Sequence, residues 1–299
     1  MPRKSKSYMI KAIYIFHLTG LPVFKFSIDK KQDIDEILFA GVSSAIDLFL
    51  KELGHSNLYA IQTEDGTLIY SSKHGLIFVV HAFEKDDVKL GQFLVKQIEI
   101  EFLKDFSYFF QTQDITYIEK SIFETFELKA QKLYDQLYHL YQTNPEFFNI
   151  FDPNLPLSIL LESVKLEKGL LDGYPERTAK LARELYSKYD EKIKKNVLES
   201  IGKYFGYKLA KKRYSKKLVI SPKEIYNLLS EISVVDFDEQ NNQFIMKLCP
   251  ICRGYTSEEP MCNFFTGFIE GALNNPKINV KETECRAKGD INCKFTLVD

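Results

Sequence analysis

Along the first hundred residues the apolar positions come in short dense runs separated by turn-forming residues. Met9 to His17 reads Met-Ile-Lys-Ala-Ile-Tyr-Ile-Phe-His, breaks at Thr19-Gly20-Leu21-Pro22, and resumes as Val23-Phe24-Lys25-Phe26-Ser27-Ile28. Runs this short, rich in β-branched and aromatic residues and bounded by Gly and Pro, predict two strands joined by a turn. The period then changes. Ile34, Ile37, Leu38, Val42, Ala45, Ile46 and Phe49 recur at helical spacing up to Gly54, with Asp33 placed to cap them, so the next element is an amphipathic helix with that stripe as its apolar face. Three β-like runs follow, Leu58 to Gln62, Leu68 to Ser72 and Leu76 to Phe83, separated by Glu64-Asp65-Gly66 and Lys73-His74-Gly75. Val88 to Phe106 returns to helical period through Leu90, Phe93, Leu94, Ile98 and Phe102. Two strands, a helix, three strands and a helix in that order predict one sheet with helices packed on it.

Thr116 to Tyr141 is a long helical pattern closed by Asn144-Pro145, and the loop Phe151-Asp152-Pro153-Asn154-Leu155-Pro156 follows. A chain of 299 residues exceeds what one core of mixed elements usually fills. The prolines and turn residues of that loop therefore mark a boundary between two domains, 1–150 and 151–299. Helical segments are expected at Leu157 to Leu166, Pro175 to Lys188 and Glu191 to Lys212. Ser221 and Glu224 stand in capping-box register ahead of Ile225, Leu228, Leu229 and Ile232. The pattern then becomes strand-like through Val234 to Asp238 and Asn242 to Leu248, with a hairpin around Glu239-Gln240-Asn241. The fold class is α/β (α+β), the second domain being helix-rich with a C-terminal β-hairpin.

Charge narrows the functional classes. Forty basic residues against 41 acidic give a net charge of −1, so no overall field draws the chain to nucleic acid or anionic lipid. Two basic runs, Pro2 to Ser7 and Lys208 to Lys217, read as solvated surface. No stretch approaches the roughly 20 apolar residues that cross a bilayer, and the N-terminus lacks signal-peptide order, so a cytoplasmic protein is expected. His17, His55, His74, His81 and His139 form no helical metal pair. There is no phosphate-binding Gly-rich loop, nucleophile elbow or dinucleotide fingerprint, so the expectation is a protein that is not an enzyme.

The chemistry gathers at the C-terminus. All five cysteines fall between Cys249 and Cys293, an odd number that favours reduced thiols or a metal over a disulfide framework. Cys285 and Cys293 lie symmetrically about Gly289, so a hairpin turning at Lys288-Gly289-Asp290 would set both sulfurs on one side as near cross-strand partners. With Cys262 and a fourth donor from Cys252, Glu282 or Glu284, they would satisfy the tetrahedral, sulfur-rich preference of zinc. Strict alternation turns Glu282 and Glu284 to the opposite face from Cys285, so a carboxylate needs a bulge or a strand end to reach the metal. Two alternatives stand beside this. The cysteines could be small buried hydrophobes, or Cys249-Pro250-Ile251-Cys252 could be a redox pair, although no thioredoxin-like strand and helix surround it. In the apolar helix Asn263 to Leu273, the side chains Phe264, Phe265, Phe268 and Ile269 could line a pocket for a hydrophobic small molecule, or be plain core.

Two resemblances follow from these residues. The opening Ile10-Lys11-Ala12-Ile13-Tyr14-Ile15-Phe16, the turn Gly20-Leu21-Pro22 and the strand Gly75-Leu76-Ile77-Phe78-Val79-Val80 make Met9 to Phe106 similar to the longin and roadblock superfamily. The Cys-Pro-Ile-Cys-Arg-Gly opening, the entry Pro260-Met261-Cys262 to a helix containing Gly267 and Gly271, and the closing Glu-Thr-Glu-Cys-Arg-Ala-Lys-Gly-Asp-Ile-Asn-Cys-Lys-Phe make roughly Ser221 to Asp299 resemble the 4-vinyl-reductase-type domain. That second resemblance implies a sensing or binding module in which cysteines hold zinc, carried over here to Cys262, Cys285 and Cys293, with Glu282, Cys252 and Cys249 as further participants. It also implies a fold shared with subunits of TRAPP vesicle-tethering complexes. The pair in tandem implies a TRAPP-like adaptor that binds protein partners, with a small GTPase among them, and that forms a homo- or hetero-oligomer. The rival reading is a small-molecule or lipid sensor with a zinc-stabilised hydrophobic pocket.

Overall fold

The computed structural model describes residues 9–28, 35–52, 59–83, 88–110, 117, 119–161, 191–215, 217 and 219–298. They gather into two compact units, Met1–Asn149 and Ile150–Asp299. The fold is mixed α+β with two antiparallel sheets.

In the first unit, β1 (Ile10–His17), β2 (Pro22–Ser27), β3 (Ala60–Thr63), β4 (Gly66–Lys73) and β5 (Leu76–Ala82) form one sheet in the order β2-β1-β5-β4-β3. Every residue of β1 and β5 is buried, as befits central strands covered on both faces. α1 (Glu36–Glu52) covers the face bearing Ala12, Tyr14, Phe16, Ile77 and Val79, where Phe39 meets Tyr14 and Phe16 edge-on. α2 (Val88–Phe106) covers the other face, with Phe102 against Phe78. Phe102 also joins Phe106, Phe110, Phe123 and Phe126 in an aromatic cluster under α3 (Thr125–Thr143).

The helix at α1 forms where its period places it, but with the faces exchanged. The side chains it buries are Ala40, Ser43, Ser44 and Asp47, whereas Ile37, Leu38, Val42, Leu48 and Phe49 stay exposed, Ile37 at 73% and Phe49 at 62%. The reason is close approach. A Cβ on Gly20 would lie 3.4 Å from the Gly41 backbone, and the Ser44 hydroxyl donates to the His17 carbonyl at 3.3 Å, so only small side chains fit where α1 passes the end of β1 and the turn after it. The capping role expected of Asp33, which lies outside the described residues, is filled by Asp35, whose carboxylate accepts from the Ile37 and Leu38 amides at 3.0 and 3.1 Å.

The second unit carries α4 (Glu191–Arg213), α5 (Pro222–Ser230) and α6 (Asn263–Leu273) with a sheet of order β6-β7-β9-β8, built from β6 (Val235–Asp238), β7 (Gln243–Met246), β8 (Asn279–Glu284) and β9 (Cys293–Val298). The capping box at Ser221 is formed in full: its side chain accepts from the Glu224 amide and the Glu224 side chain accepts from the Ser221 amide. The helical segment expected at 175–188, and the part of the one before it from residue 162 on, fall outside the described residues.

α4 and α6 pack backbone to backbone. A Cβ on Gly202 or Gly206 of α4 would stand 2.0 or 1.9 Å from the carbonyl oxygens of Phe264 and Phe268, and one on Gly267 or Gly271 of α6 would stand 2.0 Å from those of Glu199 and Lys203. Two Gly-x-x-x-Gly faces therefore meet, and Lys203 ties the pair by bridging Glu199 at 3.0 Å and Glu270 at 2.8 Å. Among the described residues no helix is long and apolar enough to cross a membrane.

Candidate metal centre

β8 and β9 form the hairpin expected of the last cysteines, pairing Glu284 with Lys294, so that Cys285 and Cys293 flank its open turn. Gly289 sits in that turn at φ 104°, a left-handed conformation that a residue without a Cβ adopts at no steric cost. The strands do not alternate strictly. Glu282 opposes Phe295 and Glu284 opposes Lys294, which leaves Thr283 as one extra residue, a β-bulge. The bulge returns Glu282 to the side of Cys285, and the Cys262 amide donates to its Oε2 at 3.1 Å. Glu284 instead pairs with Lys294 at 2.6 Å.

Three further cysteines close on this pair. Cys249 and Cys252 lie on the loop after β7, and Cys262 is the residue that caps α6, where the helix dipole favours a thiolate. Cys249 and Cys252 stand 3.2 and 2.9 Å from Cys262, measured between Sγ atoms, and Cys262 stands 3.6 Å from Cys293. Cys252 is also 3.6 Å from Cys285 and 3.7 Å from Cys293. Zinc–thiolate bonds of about 2.3 Å in a tetrahedron place sulfurs roughly 3.8 Å apart, the spacing that most of these pairs approach. All five thiols are free and buried. The Met261 and Arg286 amides point at the Cys285 and Cys293 sulfurs, each at 3.4 Å, as outer-shell donors to thiolates do.

The carboxyl and the thiols shift one another's acidity. Burial, followed by the neighbouring Cys285 and Cys293 charges, pushes the Glu282 carboxyl up to about 10. Cys285 is drawn down to about 6, first by the hydrogen bond from Cys252, and Cys293 is drawn down as well, first by Cys249. Cys262 is pushed up, chiefly by burial, and Cys252 is pushed up, first by Cys249. Glu282 Oε1 is buried with no hydrogen-bond partner, and the carboxylate lies within 4.8 Å of the Cys262, Cys285 and Cys293 sulfurs. The residues present fit a divalent, thiophilic ion: Cys249, Cys252, Cys262 and Cys293 form one group, and Cys262, Glu282, Cys285 and Cys293 another, with the ligand atoms of each within 4.8 Å of one another.

The structure thus brings Cys252, Cys262, Glu282, Cys285 and Cys293 together and adds Cys249, a thiol that the sequence reading kept only as a participant. For α6 the sequence left pocket lining and plain core as alternatives. Phe264, Phe265, Phe268 and Ile269 are each at most 1% exposed, and Phe264 packs on Phe205 and Phe265 on Phe295, so these side chains are core.

Fold and site together define a small α+β module with a thiol-rich centre at one end of its sheet. Residues 242–299 match the family model of the 4-vinyl-reductase domain, so the C-terminal region of this chain carries that domain. An uncharacterized protein of Methanocaldococcus jannaschii is 36% identical over 109 residues, covering 34% of this chain and 55% of that protein; the chain thus spans about half the length of the curated relative it matches. The crystal structure of a vinyl-4-reductase family protein from the same organism is similar at 20% identity, covering 40% of this chain and 75% of that one, with a TM-score of 0.28. The family match points to a small-domain binding or sensing role.

Proposed function

We propose that this chain is a non-enzymatic adaptor whose 4-vinyl-reductase-type module is clamped by zinc and which binds other proteins. The observation that carries the reading is the closure of the thiol site. Each sulfur is buried, and the Cys262 amide holds the Glu282 carboxylate against them, which is how a structural zinc site with no open coordination position is built. Zinc there would join the loop after β7, the start of α6 and the β8–β9 hairpin.

Adaptor is favoured over sensor by two features. The side chains meant for a ligand pocket on α6 are core. The apolar stripe of α1, by contrast, faces outward, as a surface for a protein partner does. The sheet order β2-β1-β5-β4-β3 supports the longin-type reading of the first unit, and with it a small GTPase as the partner to try first. Mixing the full chain with small GTPases from its own source, and measuring binding and nucleotide exchange, tests this. Uniform failure of both removes the GTPase, and a hydrophobic small molecule retained in native mass spectrometry would turn the reading to a sensor. Elemental analysis of protein purified without chelator tests the clamp: zinc is expected, and its absence would end that part.

A further inference from the structure

We propose that the C-terminal unit holds two zinc ions bridged by the thiolates of Cys262 and Cys293. The inference rests on the zinc clamp and deepens it. Six donors meet at this site, and a tetrahedral zinc ion uses four. Whichever four are chosen for a single ion, two remain. If Cys252, Cys262, Cys285 and Cys293 bind, the Glu282 carboxylate is left buried with its orphaned Oε1. If Cys262, Glu282, Cys285 and Cys293 bind, Cys249 and Cys252 are left against the Cys262 sulfur at 3.2 and 2.9 Å.

The two groups that converge within 4.8 Å resolve this without remainder. One is Cys249, Cys252, Cys262 and Cys293; the other is Cys262, Glu282, Cys285 and Cys293. Each offers four donors, the number a tetrahedral zinc ion takes. They share only Cys262 and Cys293, and together they employ every donor once as a terminal ligand or, for the shared pair, as a bridge. A thiolate sulfur has lone pairs enough for two metals.

The placement of the donors agrees with those roles. The terminal pair on the first ion is the Cys-Pro-Ile-Cys run, two cysteines at the two-residue separation of a zinc knuckle. The terminal pair on the second ion, Glu282 and Cys285, comes from β8 and the turn beyond it, with the bulge at Thr283 setting both on one side. Each bridging cysteine stands at the start of an element, Cys262 as the cap of α6 and Cys293 as the first residue of β9. Cys262 thus has a helix N-terminus behind it, and Cys293 the Arg286 amide, to stabilise charge on the sulfur. Loading both ions releases the thiol protons to solvent.

The test is metal stoichiometry of the full chain, by elemental analysis and native mass spectrometry after purification without chelator. Two zinc ions per chain are expected, falling to one in Cys249→Ser/Cys252→Ser and to one in Glu282→Gln/Cys285→Ser. One ion in the wild type, unchanged in Cys249→Ser/Cys252→Ser, overturns the pair and leaves the single clamp standing; no zinc at all overturns both. Should a variant fail to fold, cobalt titration of the wild type decides. The second equivalent is expected to quench the electron paramagnetic resonance signal of the first by coupling through the shared sulfurs. Saturation of thiolate-to-cobalt absorption at one equivalent, or two uncoupled ions, overturns the bridge.

Discussion

Thr283 aims no donor at the metal centre, its hydroxyl facing the Lys294 carbonyl at 3.4 Å, yet its insertion decides whether Glu282 can reach the thiols. Because side chains alternate along a strand, removing one residue flips those on one side of the deletion to the other face. Deleting Thr283 should therefore swing Glu282 off the site and weaken zinc binding by at least about tenfold, read by competition with a chromophoric chelator. An unchanged affinity would remove Glu282 from the ligand set. At this scale the sequence was half legible. The symmetry of Cys285 and Cys293 about Gly289 gave their proximity, but alternation alone turned Glu282 away, because a bulge has no signature in residue types. Cys249 could have been found by asking where a Cys-x-x-Cys run would close, since that spacing alone marks two ligands of one ion.

Among the elements, the α4–α6 pair depends on four glycines that let two backbones touch. A methyl group at Gly267 would stand 2.0 Å from the Glu199 carbonyl oxygen, which neither helix can yield without moving apart. Gly267→Ala is expected to cost about 3 kcal/mol or more. Gly254→Ala serves as the control: nothing lies within 4 Å of its Cβ position and only its φ of 75° opposes a side chain, a cost of about 1 kcal/mol. Urea midpoints of the two variants check the ranking, and equal losses would deny that backbone contact sets the packing. The helical period of α6 was readable, and so was its apolar character. What faced it was not, because a glycine reads equally as a flexible point or as a place of close approach. α1 teaches the same limit: its apolar stripe was found at Ile37, Leu38, Val42 and Phe49, but the sheet receives the small polar side.

At the scale of the whole molecule, each unit has its own sheet and its own core, and the thiol site belongs to the second alone. Zinc at a thousand times its Kd would add about 4 kcal/mol to the folded state that binds it. Calorimetry of the full chain with and without a chelator should therefore show one transition falling by many degrees while the other, from the first unit, stays in place. A chelator that moves both transitions, or neither, would contradict the assignment of the clamp to one unit.

By itself, the sequence determined the order of elements, the capping box at Ser221, the class of fold and the segment in which the chemistry would lie. These follow from local rules, in which period and turn residues act over a few neighbours. Only the tertiary structure decided which face of α1 turns inward, that Phe264, Phe265, Phe268 and Ile269 are core, and that six donors converge into two overlapping sets. Those outcomes depend on how closely distant backbones approach and on one unpaired residue in a strand, quantities that arise when segments far apart in the chain are packed against each other.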